Sequence, residues 1–277
     1  MMCEWKQVLD VLPSFLRALL QKEEQSSIQE IHLRLGQQVE LNRGNSVSVL
    51  EYTVTQDDIT YVVNVASRYS PWQAQTISRG FLSIPGGHRI GLCGQVICSG
   101  GIVTGIRDPD SLCIRIARDI PGIGTPFREL KGSTLIIGAP GWGKTTLLRD
   151  ISRQMAETRT TVVLDERGEL FPAGFSRGKR MDVLRNCPKA AAIDMALRTM
   201  GPEVIALDEI TQEEDCRSII HASYCGVALL ATAHAVSIQD LKQRSIYRQL
   251  LDNFIFQNIL ILRKDKSCRL ERMCVCN

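Results

Sequence analysis

The sequence predicts an α/β protein in two parts: a smaller mixed α/β domain over residues 1–125, then a larger domain over 126–277 built on a central, mostly parallel sheet. Three observations lead there. Gly138-Ala139-Pro140-Gly141-Trp142-Gly143-Lys144-Thr145 fits G-x-x-x-x-G-K-[ST] and lies between the apolar run Thr134 to Ile137 and a helical stripe of Leu147, Leu148, Ile151 and Met155. Three further apolar runs of strand length follow, Thr161 to Leu164, Val204 to Leu207 and Val227 to Ala231, each ending in polar groups. Upstream the hydrophobic period falls to two, as in Ile28-Gln29-Glu30-Ile31-His32-Leu33-Arg34-Leu35 before Gly36.

In chain order, Val8, Leu12, Phe15, Leu16 and Leu19 recur at near-helical spacing and predict one amphipathic helix from Trp5 to Gln21, against the objection of Pro13. Strands are expected at Ile28 to Leu35, Gln38 to Leu41, Ser46 to Val49, Phe81 to Ile84, Arg89 to Ile97 and Leu112 to Ala117, and a helix at Gln56 to Ser67. Pro85-Gly86-Gly87-His88-Arg89 and Ser99-Gly100-Gly101 read as hairpin turns. The turn-rich stretch Asp119 to Pro126 reads as a linker, which places the domain boundary near Thr125. At the far end, the runs Phe254 to Arg263 and Cys268 to Val275 flank Lys264-Asp265-Lys266-Ser267 as a hairpin that closes the sheet with antiparallel strands, a RecA-like arrangement.

Composition excludes little. A net charge of +3 is too mild to demand a nucleic-acid partner. The 10 cysteines form no C-x-x-C pair and are expected as free thiols, with the tail Cys274-Val275-Cys276 the one spacing suited to a metal or a disulfide. Val8 to Leu20 is broken by Asp10, Pro13, Ser14 and Arg17, so no export signal is expected. Ile219 to Val236 carries His221, Ser223, Tyr224, Gly226, Thr232 and His234, so it reads as a helix, a turn and a buried strand, with no transmembrane segment. The expected localisation is cytoplasmic.

The glycine loop sets the chemistry. Backbone N–H groups of Gly138, Ala139, Pro140, Gly141, Trp142, Gly143, Lys144, Thr145 and Thr146, Pro140 itself lacking one, form the stretch expected to cradle the phosphates of ATP at a helix N-terminus. Lys144 is expected to reach the β- and γ-phosphates, and Thr145 to place its hydroxyl on Mg²⁺. Val204 to Leu207 runs into Asp208-Glu209, a Walker B pattern in which Asp208 holds Mg²⁺, partly through water, and Glu209 polarises the attacking water. Thr161 to Leu164 runs into Asp165-Glu166-Arg167-Gly168-Glu169, a second acidic strand end. His234, after Val227 to Ala231, stands where a side chain could sense the γ-phosphate. Arginines near the domain junction, Arg79, Arg89, Arg115 and Arg118, read as solvated strand faces or as a source of positive charge across a boundary. No N-K-x-D element selects guanine and no L-S-G-G-Q marks a transporter.

Four boxes in this order resemble the hexameric ATPases of type II and type IV secretion and pilus systems. Those enzymes carry a Walker A loop, an E-D-P-x-E box, an L-R-x-x-P-D segment leading into G-E-[IM]-R-D, and a T-x-H box. The matching residues here are Gly138 to Thr145, Asp165 to Glu169, Leu197-Arg198-Thr199-Met200-Gly201-Pro202-Glu203 leading to Asp208-Glu209-Ile210, and Thr232-Ala233-His234. The Walker B glycine of that pattern is Asp208 here, its R-D is Thr211-Gln212, and Arg167 replaces the proline of the acidic box, so both Glu209 and Glu169 are candidates to orient water, Glu209 first. Over nearly its full length the chain also resembles a family of cytoplasmic sporulation ATPases. That resemblance implies a homo-oligomeric, hexameric ring in the mother cell, working with membrane proteins of a channel complex to the forespore.

The resulting expectation is hydrolysis of ATP with Mg²⁺ by in-line attack of water. Lys144 and the loop amides hold phosphates, Thr145 and Asp208 the metal, Glu209 and Glu169 the water, His234 the nucleotide state, while Arg115 or Arg198 adds positive charge. The first domain is expected to serve ring assembly and arginine supply. The rival reading is a nucleic-acid-binding P-loop ATPase gripping through Arg34, Arg79 and Arg89. It is disfavoured because Ile28 to Leu35, Arg89 to Ile97 and Leu112 to Ala117 hold no aromatic stacking platform.

Overall fold

The computed structural model describes residues 5–44, 46–67, 80–172 and 174–273. Two compact units divide the chain, Met1–Asp119 with Pro172–Gly174, and Ile120–Phe171 with Phe175–Asn277.

In the first unit, helices α1 (Trp5–Asp10) and α2 (Ser14–Leu20) stand where one helix was expected. Pro13 is the reason: it has no N–H for a helix interior, and at ψ 150 it serves as the N-cap of α2 instead. Strands β1 (Glu30–Arg34), β2 (Gln38–Asn42), β3 (Val47–Thr53), β4 (Phe81–Ile84), β5 (His88–Ser99) and β6 (Ile102–Arg115) form one antiparallel sheet, ordered β3-β2-β1-β6-β5-β4. Helix α3 (Gln56–Ser67) matches its expected span. Ile31, Leu33, Val39, Leu41, Ile90, Leu92, Leu112 and Ile114 point to one sheet face and pack with Val8, Leu12, Leu16, Ile59 and Val62. On β1 and β2 the opposite face carries the alternate residues and is polar.

The second unit is a sheet of β7 (Thr134–Ile137), β8 (Thr161–Asp165), β9 (Met181–Arg185), β10 (Val204–Leu207), β11 (Ala228–Ala233), β12 (Asn258–Leu262) and β13 (Cys268–Arg272), ordered β13-β12-β7-β11-β10-β8-β9. Helices α4 (Lys144–Met155), α5 (Lys189–Thr199), α6 (Glu213–Tyr224), α7 (Ile238–Gln243) and α8 (Ser245–Asp252) complete it. Every pair except β12–β13 is parallel, so strands such as β7, β8 and β10 are buried at every position and show no alternation. Two expectations change here. Strand β12 runs parallel to β7, and only β13 turns back antiparallel. Strand β9, whose burial is mixed because it lies at the sheet edge, was not expected from its sequence.

No described helix is long and apolar enough to cross a membrane. Cys93, Cys98, Cys113, Cys187, Cys216, Cys225 and Cys268 are free thiols. Arg79 and the Cys274-Val275-Cys276 tail lie outside the described residues.

Candidate nucleotide site

The parallel order puts the carboxyl ends of β7, β11, β10 and β8 side by side, and each end carries one part of the site. Between β7 and α4 the loop needs left-handed backbone at Gly141 (φ 74) and Gly143 (φ 100), which side chains other than glycine resist. Gly143 caps α4, so the first helical residue is Lys144. Lys266, in the β12–β13 turn, donates to the Gly141 carbonyl at 2.6 Å. The sequence gives no sign of that lysine's role, since it sits 125 residues downstream.

Lys144 is buried, and its Nζ donates to the Ala139 carbonyl at 3.1 Å and to His234 Nδ1 at 3.0 Å. Burial lowers its pKa from the ordinary lysine value, against the opposing pull of Glu209 and Asp208. The tautomer in which Nδ1 accepts from the ammonium carries its N–H on Nε2, which faces Glu209 Oε1 at 3.1 Å. Lysine, imidazole and carboxylate thus form a continuous relay.

Strand β11 also supplies Thr232, wholly buried, whose hydroxyl donates to Asp208 Oδ1 at 2.8 Å and accepts the Glu209 N–H at 2.9 Å. That one hydroxyl holds the Asp208 carboxylate and the Glu209 backbone together. Thr145 Oγ1 lies 3.2 Å from Asp208 Oδ2, so hydroxyl and carboxylate offer adjacent oxygens to one hard cation. A buried ammonium beside paired oxygen donors fits a magnesium-bound triphosphate in kind and in sign of charge.

At the β8 end the acidic residues divide their work. Asp165 is buried and accepts three backbone N–H bonds, from Glu169 and Leu170 on Oδ1 at 2.8 and 3.0 Å and from Phe171 on Oδ2 at 3.1 Å. It shapes the loop. Arg149 on α4 holds the same loop from outside, donating to the carbonyls of Glu169 at 2.8 Å and of Leu170. A cleft of about 20 Å³, room for water by volume, is lined by Leu164, Asp165, Glu166, Arg167, Glu169, Lys189, Asp208 and Glu209. Glu169 and Glu209 therefore face one small space, and Lys189, absent from the sequence reading, joins them.

The arginines have other partners. Arg198 is exposed and pairs with Asp194 at 3.1 Å, roughly 13 Å along α5 from Lys189 at 1.5 Å per residue, so it is not in this cluster. Arg115, in the first unit, pairs with Glu30 at 3.3 Å. Arg89 stacks over Phe81 at 4.0 Å, and Arg118 bonds the Ile28 carbonyl. On the polar sheet face of that unit, Glu30, His32 and Cys113 approach within 4.8 Å of one another, the register setting His32 opposite Cys113. Glu30 is already engaged there by Arg115 and by Asn42 at 3.2 Å.

Residues 2–271 match the family model described as sporulation stage III, protein AA. The chain belongs to that family. It is 38% identical over 284 residues to stage III sporulation protein AA of Bacillus subtilis (strain 168), covering 94% of this chain and 92% of that one. Among solved structures, the pilus retraction motor PilT with bound ADP superposes with a TM-score of 0.61 at 15% identity, over 91% of this chain and 80% of that chain. The ATPase DotB of Yersinia pseudotuberculosis gives 0.62 at 16% identity, over 98% and 79%. The sporulation stage III AA family member described here thus has the fold of the secretion ATPases, an N-terminal antiparallel sheet followed by a mostly parallel one.

Proposed function

We propose that this chain is an ATP-hydrolysing motor of the secretion ATPase type, which powers or assembles the channel complex between mother cell and forespore during sporulation. One observation carries the enzymatic part of the reading: Thr145, Asp208, Glu209, His234 and Lys144 meet within successive contacts of 3.0–3.2 Å. In this reading Lys144 and the loop amides bind the β- and γ-phosphates. Thr145 and Asp208 hold Mg²⁺, which when bound draws charge from the phosphate oxygens. Glu209 orients the attacking water and accepts its proton, with Glu169 on the other wall of the cleft. His234 reports nucleotide state: when the γ-phosphate engages Lys144, Nδ1 loses its donor, and the change reaches Glu209 through Nε2.

Placement on the mother-cell side, association with the membrane through partner proteins and a ring of identical subunits extend the same reading. The first unit would serve assembly, and Arg115 or Arg198 would act on a neighbouring subunit's phosphates. Support comes from family membership, from the match to PilT and DotB in fold, and from the position of Arg198 away from its own cleft. Fluorescent ATP binding and phosphate release on the same samples test the core. Lys144→Ala is expected to lose binding. Glu209→Gln is expected to retain ATP and to slow release by about 100-fold or more. Release by Glu209→Gln at the parent rate would refute its assignment.

A further inference from the structure

Lys189 is an expensive residue to keep. It is 7% exposed and occupies the first position of α5, where the helix dipole disfavours a cation. Two carboxylates offset that cost. Its Nζ donates to Glu166 Oε2 at 2.6 Å and lies 3.7 Å from Asp215 Oδ2.

Each partner belongs to a different loop of the cleft. Glu166 sits in the turn after β8, between Asp165 and Glu169, the turn that Asp165 locks through its three N–H bonds. Asp215, itself buried, accepts the N–H groups of Thr211 and Gln212 at 3.1 and 3.2 Å and so closes the loop that starts at Asp208-Glu209. Gln212 and Asp215 form a reciprocal capping box on α6, so this loop is anchored at its α6 end. Lys189 is the residue that spans from one loop to the other, and it lines the cleft beside Glu169 and Glu209.

We infer that Lys189 is a positioning residue: through Glu166 and Asp215 it sets the separation of the loops bearing Glu169 and Glu209, and thereby the geometry of the attacking water. The inference rests on the ATPase reading for its catalytic consequence, though not for the tie itself. Removing the tie leaves the phosphate-binding loop intact, because Lys144, Thr145 and Gly143 make no contact through Lys189 in the bonds that define them.

The test uses the full chain with Lys189→Met, Lys189→Arg and Glu166→Gln. Lys189→Met is expected to lower kcat by about 10–100-fold, the usual cost of losing a residue that orients catalytic groups, with the KM for ATP changed less than about twofold. Lys189→Arg, which keeps the charge and can reach both carboxylates, is expected to recover part of kcat. Glu166→Gln removes the half-exposed partner without stranding a buried charge and is expected to lower kcat in the same direction. Parent kcat in Lys189→Met would overturn the inference. So would a loss of turnover that merely follows equal losses of ATP binding and thermal midpoint. Hydrogen exchange without nucleotide provides the independent arm: the amides of Glu169, Leu170, Thr211 and Gln212 should exchange faster together in Lys189→Met. If the parent chain released no phosphate, the ATPase reading would fall while exchange still decided the tie, unchanged protection of either loop counting against it.

Discussion

Thr232 shows how much of the site depends on one buried hydroxyl. It donates to Asp208 and accepts from the Glu209 backbone, so replacing it by valine keeps the volume and strips one bond from each partner, leaving the Glu209 N–H to Asp208 Oδ1 bond of 3.1 Å between them. Thr232→Val is expected to cost about 1–3 kcal/mol in denaturant unfolding and to slow phosphate release; an unchanged midpoint would mean that water replaces the hydroxyl. Cysteine chemistry gives a second residue-scale outcome. Burial pushes the thiols of Cys113, Cys216 and Cys268 up to about 11, while Cys93, Cys98 and Cys225 are exposed. Iodoacetamide at pH 8 should therefore label the exposed group first, as read by peptide mass spectrometry. The strand-end placement of the glycine loop, Asp208, Glu209 and His234 was legible because each follows a continuous apolar strand. Lys189 and Lys266 were not, since each earns its place through a contact more than 20 residues away that no local pattern records.

At the scale of elements, α4 is tied at its middle as well as at its glycine start. Asp150 is 1% exposed, pairs with Arg153 at 2.6 Å, and accepts the N–H groups of Gly122 and Gly124 at 2.9 and 2.6 Å. Gly124 lies so close to α4 that a Cβ there would stand 2.5 Å from the Ile151 nitrogen. The turn-rich stretch read as a linker is thus fastened to the helix that opens the candidate nucleotide site. Asp150→Ala removes a buried ion pair to Arg153 and the acceptor of both glycine amides and is expected to cost about 3–5 kcal/mol, measured by urea unfolding; a loss under about 1 kcal/mol would show the tie to be replaceable. The misread elements have local causes. Pro13 outweighed a good apolar stripe because its missing N–H cannot be repaired inside a helix. Strand β9 (Met181–Arg185) mixes Asp182 and Arg185 with apolar residues, as an edge strand must, and so lacks the signature of its buried neighbours. The direction of β12 depends on its partner β7, more than 100 residues earlier, and cannot be read from the run itself.

For the whole molecule, buried acids that stay neutral when folded set an alkaline limit. Cys113, Cys216 and Cys268 rise from 9.0 to about 11, and Tyr247 from 10.0 to about 12, each chiefly by desolvation. Because their folded values lie above the unfolded ones, the stability they confer is complete below pH 9 and is lost as pH climbs through 11 for the thiols and through 12 for Tyr247. The thermal midpoint should accordingly fall between pH 9 and 11, and thiol-to-alanine variants should shift that fall; a flat midpoint across the window would show that these groups ionise without cost. The division into a two-layer α/β unit and a parallel-sheet unit was legible from the change of hydrophobic period, from two in β1 (Glu30–Arg34) to continuous in β7 (Thr134–Ile137) and β8 (Thr161–Asp165). In the proposed ring, the contacts between subunits at which Arg115 and Arg198 would act lie on surfaces that a single chain does not pair.

Phosphate release from Mg-ATP by the full chain, followed across protein concentration alongside its mass in solution, tests the central claim most directly. The account predicts turnover per chain that rises with assembly and is abolished in Lys144→Ala. Release no greater than that of Lys144→Ala at every concentration, with the chain fully assembled, would contradict it.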